Sequence, residues 1–334
     1  LAGYEPSRFI GVAPDAEYIL AKTEENHTEL PSEEDRWIAG LEWAVSLGAQ
    51  VVNSSLGYNV WDDGSGYAQT DLDGATALTS VAAALAVRRG VVVVVSAGNE
   101  AQASWHYVTA PADADGVIAV GSVDVPVGAV RAPEIAASSS RGPTADGRIK
   151  PDVVAPGQGV VMADLRDGDY QRSSGTSFSS PLVSGVCALL LQARPDWGPA
   201  EVLAALRATA LDLGEVGPDT VYGWGQIDAL AASGLDSVSP AEYALLPPFP
   251  NPARGSLIHF PVQLAERDDV ELSIFDLAGN LVSVSLWPLL AGVHDQPGRT
   301  PRWEAADDAA NGLYYYLIQS AGFTHAGKIA LARP

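Results

Sequence analysis

Cysteine is nearly absent from this 334-residue chain. Cys187 stands alone, which excludes an intrachain disulfide framework and any metal site built on several thiolates. Lysine is almost as scarce, represented by Lys22, Lys150 and Lys328 only. Basic residues number 19 against 41 acids, a net charge of −22. A surface that acidic repels phosphate, so nucleic-acid binding is not expected. No run reaches the roughly 18 consecutive apolar residues of a membrane-spanning helix; Val91–Val95 and Ala188–Leu191 are far shorter. The first residues carry neither a basic segment nor the apolar stretch of a secretory signal, and Leu1-Ala2-Gly3-Tyr4 reads like the interior of a longer polypeptide.

What is present is globular in character. Apolar residues make up 47% of the chain, enough for a sizeable core, and the length suits about two domains. Over the first 235 residues short β-rich runs alternate with helical patterns. Ala16–Ala21, Val51–Ser54, Val91–Ser96 and Val117–Val123 read as strands, the third apolar throughout, as in a parallel sheet buried on both faces. Helices are predicted after a capping box at Ser32 and Asp35, with Trp37, Leu41, Ala44 and Val45 on one face, and at Ala75–Arg89, Ser177–Ala193 and Pro199–Thr209. Such alternation means βαβ units in a mostly parallel α/β sheet.

The texture changes near Ser239. Prolines 240, 247, 248, 250 and 252 mark a stiff linker, placed at 237–253, between a first domain at 1–236 and a second at 254–334. Beyond it the apolar period becomes two, through Val270, Leu272 and Ile274, then Val282, Val284 and Leu286, with a turn at Asp276–Asn280. About seven short strands suggest a small β-sandwich.

Three stretches carry the chemistry. In Gly175-Thr176-Ser177-Phe178-Ser179-Ser180-Pro181, a serine opens a core helix, where its backbone N–H is unpaired and the dipole is positive. Pro181 falls near the helix start, where a missing N–H is expected to cost little. Ser96-Ala97-Gly98-Asn99-Glu100 follows the apolar strand and offers a carboxamide to developing negative charge. Asn53-Ser54-Ser55-Leu56-Gly57 ends another strand, whose backbone can pair with an extended peptide. Each alone also fits a bland reading: a serine-rich N-cap, a turn asparagine, a strand end.

Taken in order, SSLG at 54–57, SAGNE at 96–100, SSRGPTADGRIKPDVVAPG at 139–157 and GTSFSSP at 175–181 resemble the subtilisin-like serine peptidases, the subtilases. GVAPDAEYILAKT at 11–23 and YGWGQIDALAA at 222–232 extend the resemblance over roughly residues 9–233. It implies Ser177 as nucleophile, with the Asn99 side chain and the Ser177 N–H as oxyanion hole. Ser55, Leu56 and Gly57, and Ser96, Ala97 and Gly98, line the substrate cleft by the same resemblance. Protein or peptide substrates follow, and no cofactor is required for the chemistry.

The departure is large. The family order is Asp, His, Ser, with the His in a His-Gly helix just before a GVAP strand. This chain reaches GVAP at residue 11, holds no His-Gly pair, and places His27, His106, His259, His294 and His325 elsewhere. The chain as given is therefore expected to be an inactive fragment of a secreted serine endopeptidase whose Asp and His lie upstream. The alternative is a non-catalytic, peptide-binding relative at the cell surface.

Asp62, Asp63, Asp71 and Asp73 offer carboxylates that could hold a structural calcium ion, although a solvated acidic loop explains them as well. Cys187 and Trp37, Trp43, Trp224 and Trp303 read as packing. The C-terminal module, through PFPNP at 248–252, VELSIFDLAGNLV at 270–282, NGLYYYLI at 311–318 and GKIAL at 327–331, resembles Ig-like type IX secretion sorting domains. That resemblance implies a partner in the secretion machinery and an extracellular or cell-surface location.

Overall fold

The structure, a computed structural model, describes the chain apart from residues 6–8, 26–27, 125–131, 165, 167, 235–243, 246–247, 249, 265–266, 290–291, 295–299, 307 and 334. It divides into two compact units, residues 1–3 with 11–235 and residues 4–10 with 236–334. Most of the linker predicted at 237–253 lies outside the described residues.

In chain order the strands begin with β1 (Tyr4–Glu5) and β2 (Phe9–Ile10), a short antiparallel hairpin grouped with the second unit. The first unit continues with α1 (Ser32–Ser46), β3 (Val51–Ser54), α2 (Leu78–Arg88), β4 (Val92–Ser96), β5 (Ile118–Val123) and β6 (Val153–Pro156). There follow a β7 (Val160–Ala163) and β8 (Tyr170–Ser173) hairpin, then α3 (Thr176–Ala193), α4 (Pro199–Thr209) and α5 (Ala229–Ser233). Strands β3, β4, β5 and β6 lie side by side in that order, all parallel.

Alternation explains why the apolar run of β4 has no polar break. Val91, Val93 and Val95 enter the core with Trp37 and Leu41 of α1 and Ala83 and Ala86 of α2. Val92 and Val94 enter the opposite core, with Val183, Val186, Cys187 and Leu190 of α3 and Val202 and Leu206 of α4. A strand covered on both faces needs apolar side chains at every position. Cys187 is a core residue, and burial pushes its thiol up to about 12.

Lys150, Asp152 and Arg207 close the sheet at β6. The buried Asp152 carboxylate accepts from Ala119 N (2.7 Å), Lys150 Nζ (2.7 Å) and the Arg207 guanidinium. The guanidinium also lies 3.8 Å from the centre of the Trp224 ring. A buried ammonium, a half-buried guanidinium and a backbone N–H satisfy one buried carboxylate, and the arrangement ties α4 to β5 and β6.

Several expectations are corrected. Ala16–Ala21 forms no strand: it is an irregular, solvent-exposed segment, with Leu20 85% exposed. A strand needs a hydrogen-bonded neighbour, and a groove of about 880 Å³ lies between this segment and the free edge of β3. The capping box is absent; Pro31 is the N-cap of α1, and the Glu33 carboxylate accepts from Glu25 N and Leu30 N instead. Trp43 is 47% exposed rather than packed, since it lies on the face of α1 opposite Trp37 and Leu41. By length and composition α3 is apolar enough to cross a membrane, but half of it is buried and it packs across β3 to β6.

The second unit is antiparallel. Its strands are β9 (Ala244–Leu245), β10 (Leu257–His259), β11 (Val262–Leu264), β12 (Asp268–Phe275), β13 (Leu281–Leu289), β14 (Gly292–His294), β15 (Arg302–Glu304), β16 (Gly312–Gln319) and β17 (Thr324–Leu331). A four-stranded sheet ordered β13-β12-β16-β17 shares one core with the shorter strands, through Val270, Leu272, Ile274, Ile318 and Ile329 on one side and Ile258, Phe260 and Val262 on the other. The predicted turn forms, with Asp276 Oδ1 accepting from Ala278 N and Asn280 N. Val282, Val284 and Leu286 face outward, however. Val284 pairs with Ser273 and Leu286 with Glu271, and paired residues share a face, so the inward face of β13 carries Ser283, Ser285 and Trp287.

Candidate active site

The site is built where β3, β4 and α3 converge. Trp37 Nε1 donates to Ser54 Oγ (2.9 Å), which fixes the end of β3 against α1. Gly57 follows in close contact with Thr109, whose hydroxyl occupies the space a Cβ would need. The next residue, Tyr58, is buried, exchanges backbone hydrogen bonds with Ala110 and donates its hydroxyl to Glu24 Oε1 (2.7 Å). Burial, then Glu24, pushes that phenol far above its ordinary range. Among the described residues the N–H and C=O groups of Leu56 and Gly57 have no hydrogen-bond partner, so they remain available to an extended peptide.

Gly98 and Asn99 lie just past β4. Ala97 N donates to Val120 O and Ala97 O accepts from Thr109 N, while Gly98 N donates to Thr176 Oγ1 (3.3 Å) and Gly98 O accepts from Ser140 N. Ser96 is buried at the end of β4. The Ser96–Gly98 stretch is thus committed inward and forms a fixed wall.

Ser177 occupies the first turn of α3. The chain enters through Gly175 at φ +142°, a conformation that favours glycine. The helix interior then takes over, and Ser177 N has no acceptor among the described residues. Asn99 Oδ1 accepts from Thr176 N (3.0 Å) and Thr176 Oγ1 (3.2 Å). Both acceptor positions of the carboxamide oxygen are filled, and the Nδ2 group, on an exposed side chain, is left without a protein partner among the described residues. The Asn99 amide, tied to Thr176, and the Ser177 N–H at the positive end of α3 are thus donors without a protein acceptor among the described residues, held by one turn of chain.

Ser177 Oγ donates to Ser55 O (3.2 Å), and Ser55 Oγ donates back to Ser177 O (2.9 Å). No imidazole contacts Ser177 among the described residues. His27 lies outside them, His106 lies at a tilt against Tyr107, and His259, His294 and His325 belong to strands of the second unit. Thr176 and the Ser55 hydroxyl were not singled out by the sequence reading. Their signal lay in the GTS and SSLG strings, yet contacts spanning 77 and 122 residues have no local sequence pattern.

The acidic loop does not gather. Asp62, Asp63, Asp71 and Asp73 each accept from backbone N–H groups nearby, of Glu29, Ser65, Ala68, and Ala75 with Thr76. A different trio, Glu24, Glu29 and Glu33, brings three carboxylate oxygens within 4.8 Å of one another. Burial, then the charge of Glu33, raises Glu29 above its ordinary value.

The groups around Ser177 gather at the ends of β3 and β4 of a parallel α/β sheet. Residues 1–225 match the profile of the subtilase family, and the chain belongs to that family. It is 34% identical to subtilisin E of Bacillus subtilis over 226 residues, covering 67% of this chain and 51% of that protein. A probable subtilase-type serine protease of Deinococcus radiodurans is 32% identical over 248 residues, covering 66% of this chain and 29% of that protein. The chain spans about half the length of the Bacillus subtilis relatives it matches. Among solved structures, the PatG macrocyclase in complex with a peptide superposes with a TM-score of 0.51 at 22% identity, covering 70% of this chain and 64% of that one, a likeness of fold.

Proposed function

We propose that this chain carries the acylating and oxyanion-stabilising part of a secreted serine endopeptidase of subtilisin type. One observation carries the reading: Ser177, at the positive end of α3, shares the cleft with an Asn99 amide whose oxygen is tied back to Thr176 and whose Nδ2 is free. In the reaction Ser177 Oγ attacks the scissile carbonyl, its proton passes to a general base, and the carbonyl oxygen gathers charge against Asn99 Nδ2 and Ser177 N–H. The base returns that proton to the departing amine as the intermediate collapses, which leaves an acyl-enzyme on Ser177 that water, deprotonated by the same base, hydrolyses. Leu56 and Gly57 supply free backbone groups for the substrate strand. The base and its orienting carboxylate are assigned to residues outside the 334, so this chain by itself is inactive. The antiparallel second unit is assigned the role of an Ig-like sorting domain read by type IX secretion machinery, with delivery outside the cell.

A second reading has its own support. Ser177 Oγ is spent on Ser55 O with no imidazole beside it among the described residues, an arrangement equally suited to a cell-surface protein that holds peptides without cutting them. A serine-directed phosphonate separates the two when applied to the full-length gene product. Labelling at Ser177, abolished in Ser177→Ala, supports the peptidase; a full-length product that binds peptide yet stays unlabelled overturns it.

A further inference from the structure

Pro181 sits at the sixth position of α3, beyond the turn whose N–H groups are orphaned in any case. The missing N–H is the one that would bond Ser177 O, so the carbonyl of the nucleophile residue lacks its ordinary α-helical donor. The proline therefore does not fall on an already orphaned N–H, and the vacancy it leaves is filled by Ser55 Oγ, at 2.9 Å.

Ser55 is itself held. Asn53 Nδ2 donates to Ser55 Oγ (3.3 Å), while Asn53 Oδ1 accepts from Ser180 Oγ (2.7 Å) and Ser184 Oγ (3.0 Å). Ser55 Oγ and Ser180 Oγ lie 3.4 Å apart, and Ser184 Oγ also lies 3.0 Å from Ser180 O. A hydroxyl has one proton and a carboxamide oxygen two acceptor sites, and the chain of donors uses them consistently. It runs from Ser180 and Ser184 to Asn53, on to Ser55, and ends on Ser177 O. Ser177, Ser180 and Ser184 fall on one face of α3, and Ser180 and Ser184 are buried. Asn53 stands on the α3 side of β3, where Val51 two residues earlier joins the apolar core. A polar amide replaces an apolar side chain there, and the face it meets is lined with hydroxyls.

We infer that Asn53, acting through Ser55, is a positioning residue for the Ser177 nucleophile: it orients the hydroxyl that replaces the helical bond removed by Pro181. The inference rests on Ser177 being the nucleophile, and its test is arranged to be read separately. In the full chain, amide hydrogen exchange of residues 176–180 is compared with that of α4 for the wild type, Asn53→Ala, Ser55→Ala and the double variant. Each single change is expected to speed exchange at 176–180 about tenfold while α4 is unmoved, with the double variant no worse than either single one, because both break the same chain. Asn53→Asp, a second route should Asn53→Ala fold poorly, keeps the acceptor for Ser180 and Ser184 but draws the Ser55 proton to itself. It is expected to match Ser55→Ala. Unchanged exchange at 176–180, or additive effects of Asn53 and Ser55, overturns the inference.

The catalytic meaning is read on the full-length gene product by phosphonate labelling of Ser177. The maximal labelling rate should fall about tenfold in Asn53→Ala with the half-saturating concentration unchanged. A weaker half-saturation at an unaltered maximal rate counts against positioning. A wild type that never labels removes the peptidase reading, while the exchange comparison still decides whether Asn53 anchors α3.

Discussion

Thr176 holds the Asn99 carboxamide by its oxygen, through N at 3.0 Å and Oγ1 at 3.2 Å, and thereby fixes which end of the amide faces the cleft. An asparagine free to flip would present an acceptor to a developing oxyanion half the time. Here the residue preceding Ser177 removes that choice, and it does so within the turn that also frees Ser177 N. Asn99→Leu in the full-length protein is expected to lower acylation of Ser177 by about 10²–10³-fold, and to cost about 1–3 kcal/mol of stability because Thr176 N and Oγ1, in a buried residue, lose their acceptor. Thr176→Val, which keeps the backbone bond and loses the hydroxyl, should fall between the two. Rates of phosphonate labelling check both.

The fold was legible wherever one covalent segment determines its own environment. The run Val91–Ser96 announced a strand covered on both sides, and β4 is buried at each position. Helix α4 begins at Pro199 and ends at Thr209 as its proline and period require. Ala16–Ala21 failed because its apolar residues state only that it can pair, while the groove beside β3 leaves it no neighbour. Val282, Val284 and Leu286 failed for a related reason: period two identifies a strand but not which face is inward, which the pairing with β12 decides. In the candidate site, Ser177, Asn99 and Ser55 were named from strings by resemblance, whereas the contacts that Asn53, the Ser55 hydroxyl and Thr176 make across the sheet have no local pattern. Pro181 gave a local hint of the gap that Ser55 fills.

Asp152 is the next point of exposure to mutation. Its carboxylate is buried against Lys150 and Arg207, and Asp152→Ala leaves the Lys150 ammonium, also buried, with Val117 O as its remaining partner. A loss of about 3–5 kcal/mol is expected, the scale for breaking one side of a buried pair. Urea unfolding followed by tryptophan fluorescence measures it, and a loss under about 1 kcal/mol contradicts the assignment of this cluster as a structural clamp.

Gly57 gives a steric test. A Cβ there runs into the Thr109 hydroxyl and its Cβ, neither at the far end of a flexible side chain. Gly57→Ala should cost about 1–3 kcal/mol and displace the segment after β3 that carries Leu56 and Ser55. Urea unfolding supplies the stability. If Gly57→Ala is neutral, the Thr109 contact is not the constraint.

The acids make stability turn over on the acid side of neutrality. Burial raises Asp113 and Glu34, and burial together with Glu33 and Glu24 raises Glu29, so all three bind a proton more readily folded than unfolded. For such groups stability is full below the unfolded value, near 4.5 for the two glutamates, and declines as pH rises through the raised folded value. Asp73 and Asp146 have the opposite sign: backbone N–H groups hold the first below 3.8 and Arg148 the second, so their contribution is present above 3.8 and lost as pH falls through the lowered value. The melting temperature is therefore expected to rise on acidification from pH 7.5 toward 5, then to fall below about pH 4. Added salt should flatten the rise, since a net charge of −22 repels itself at neutral pH. Glu29→Gln removes one raised carboxyl and leaves an amide that can donate to Glu33. Because Glu29 is exposed, the variant should gain no more than about 0.5 kcal/mol at pH 7.5, and the gain should vanish toward pH 4. Melting curves of both proteins across that range measure the difference, and a gain that grows as the pH falls reverses the sign assigned to the glutamate cluster.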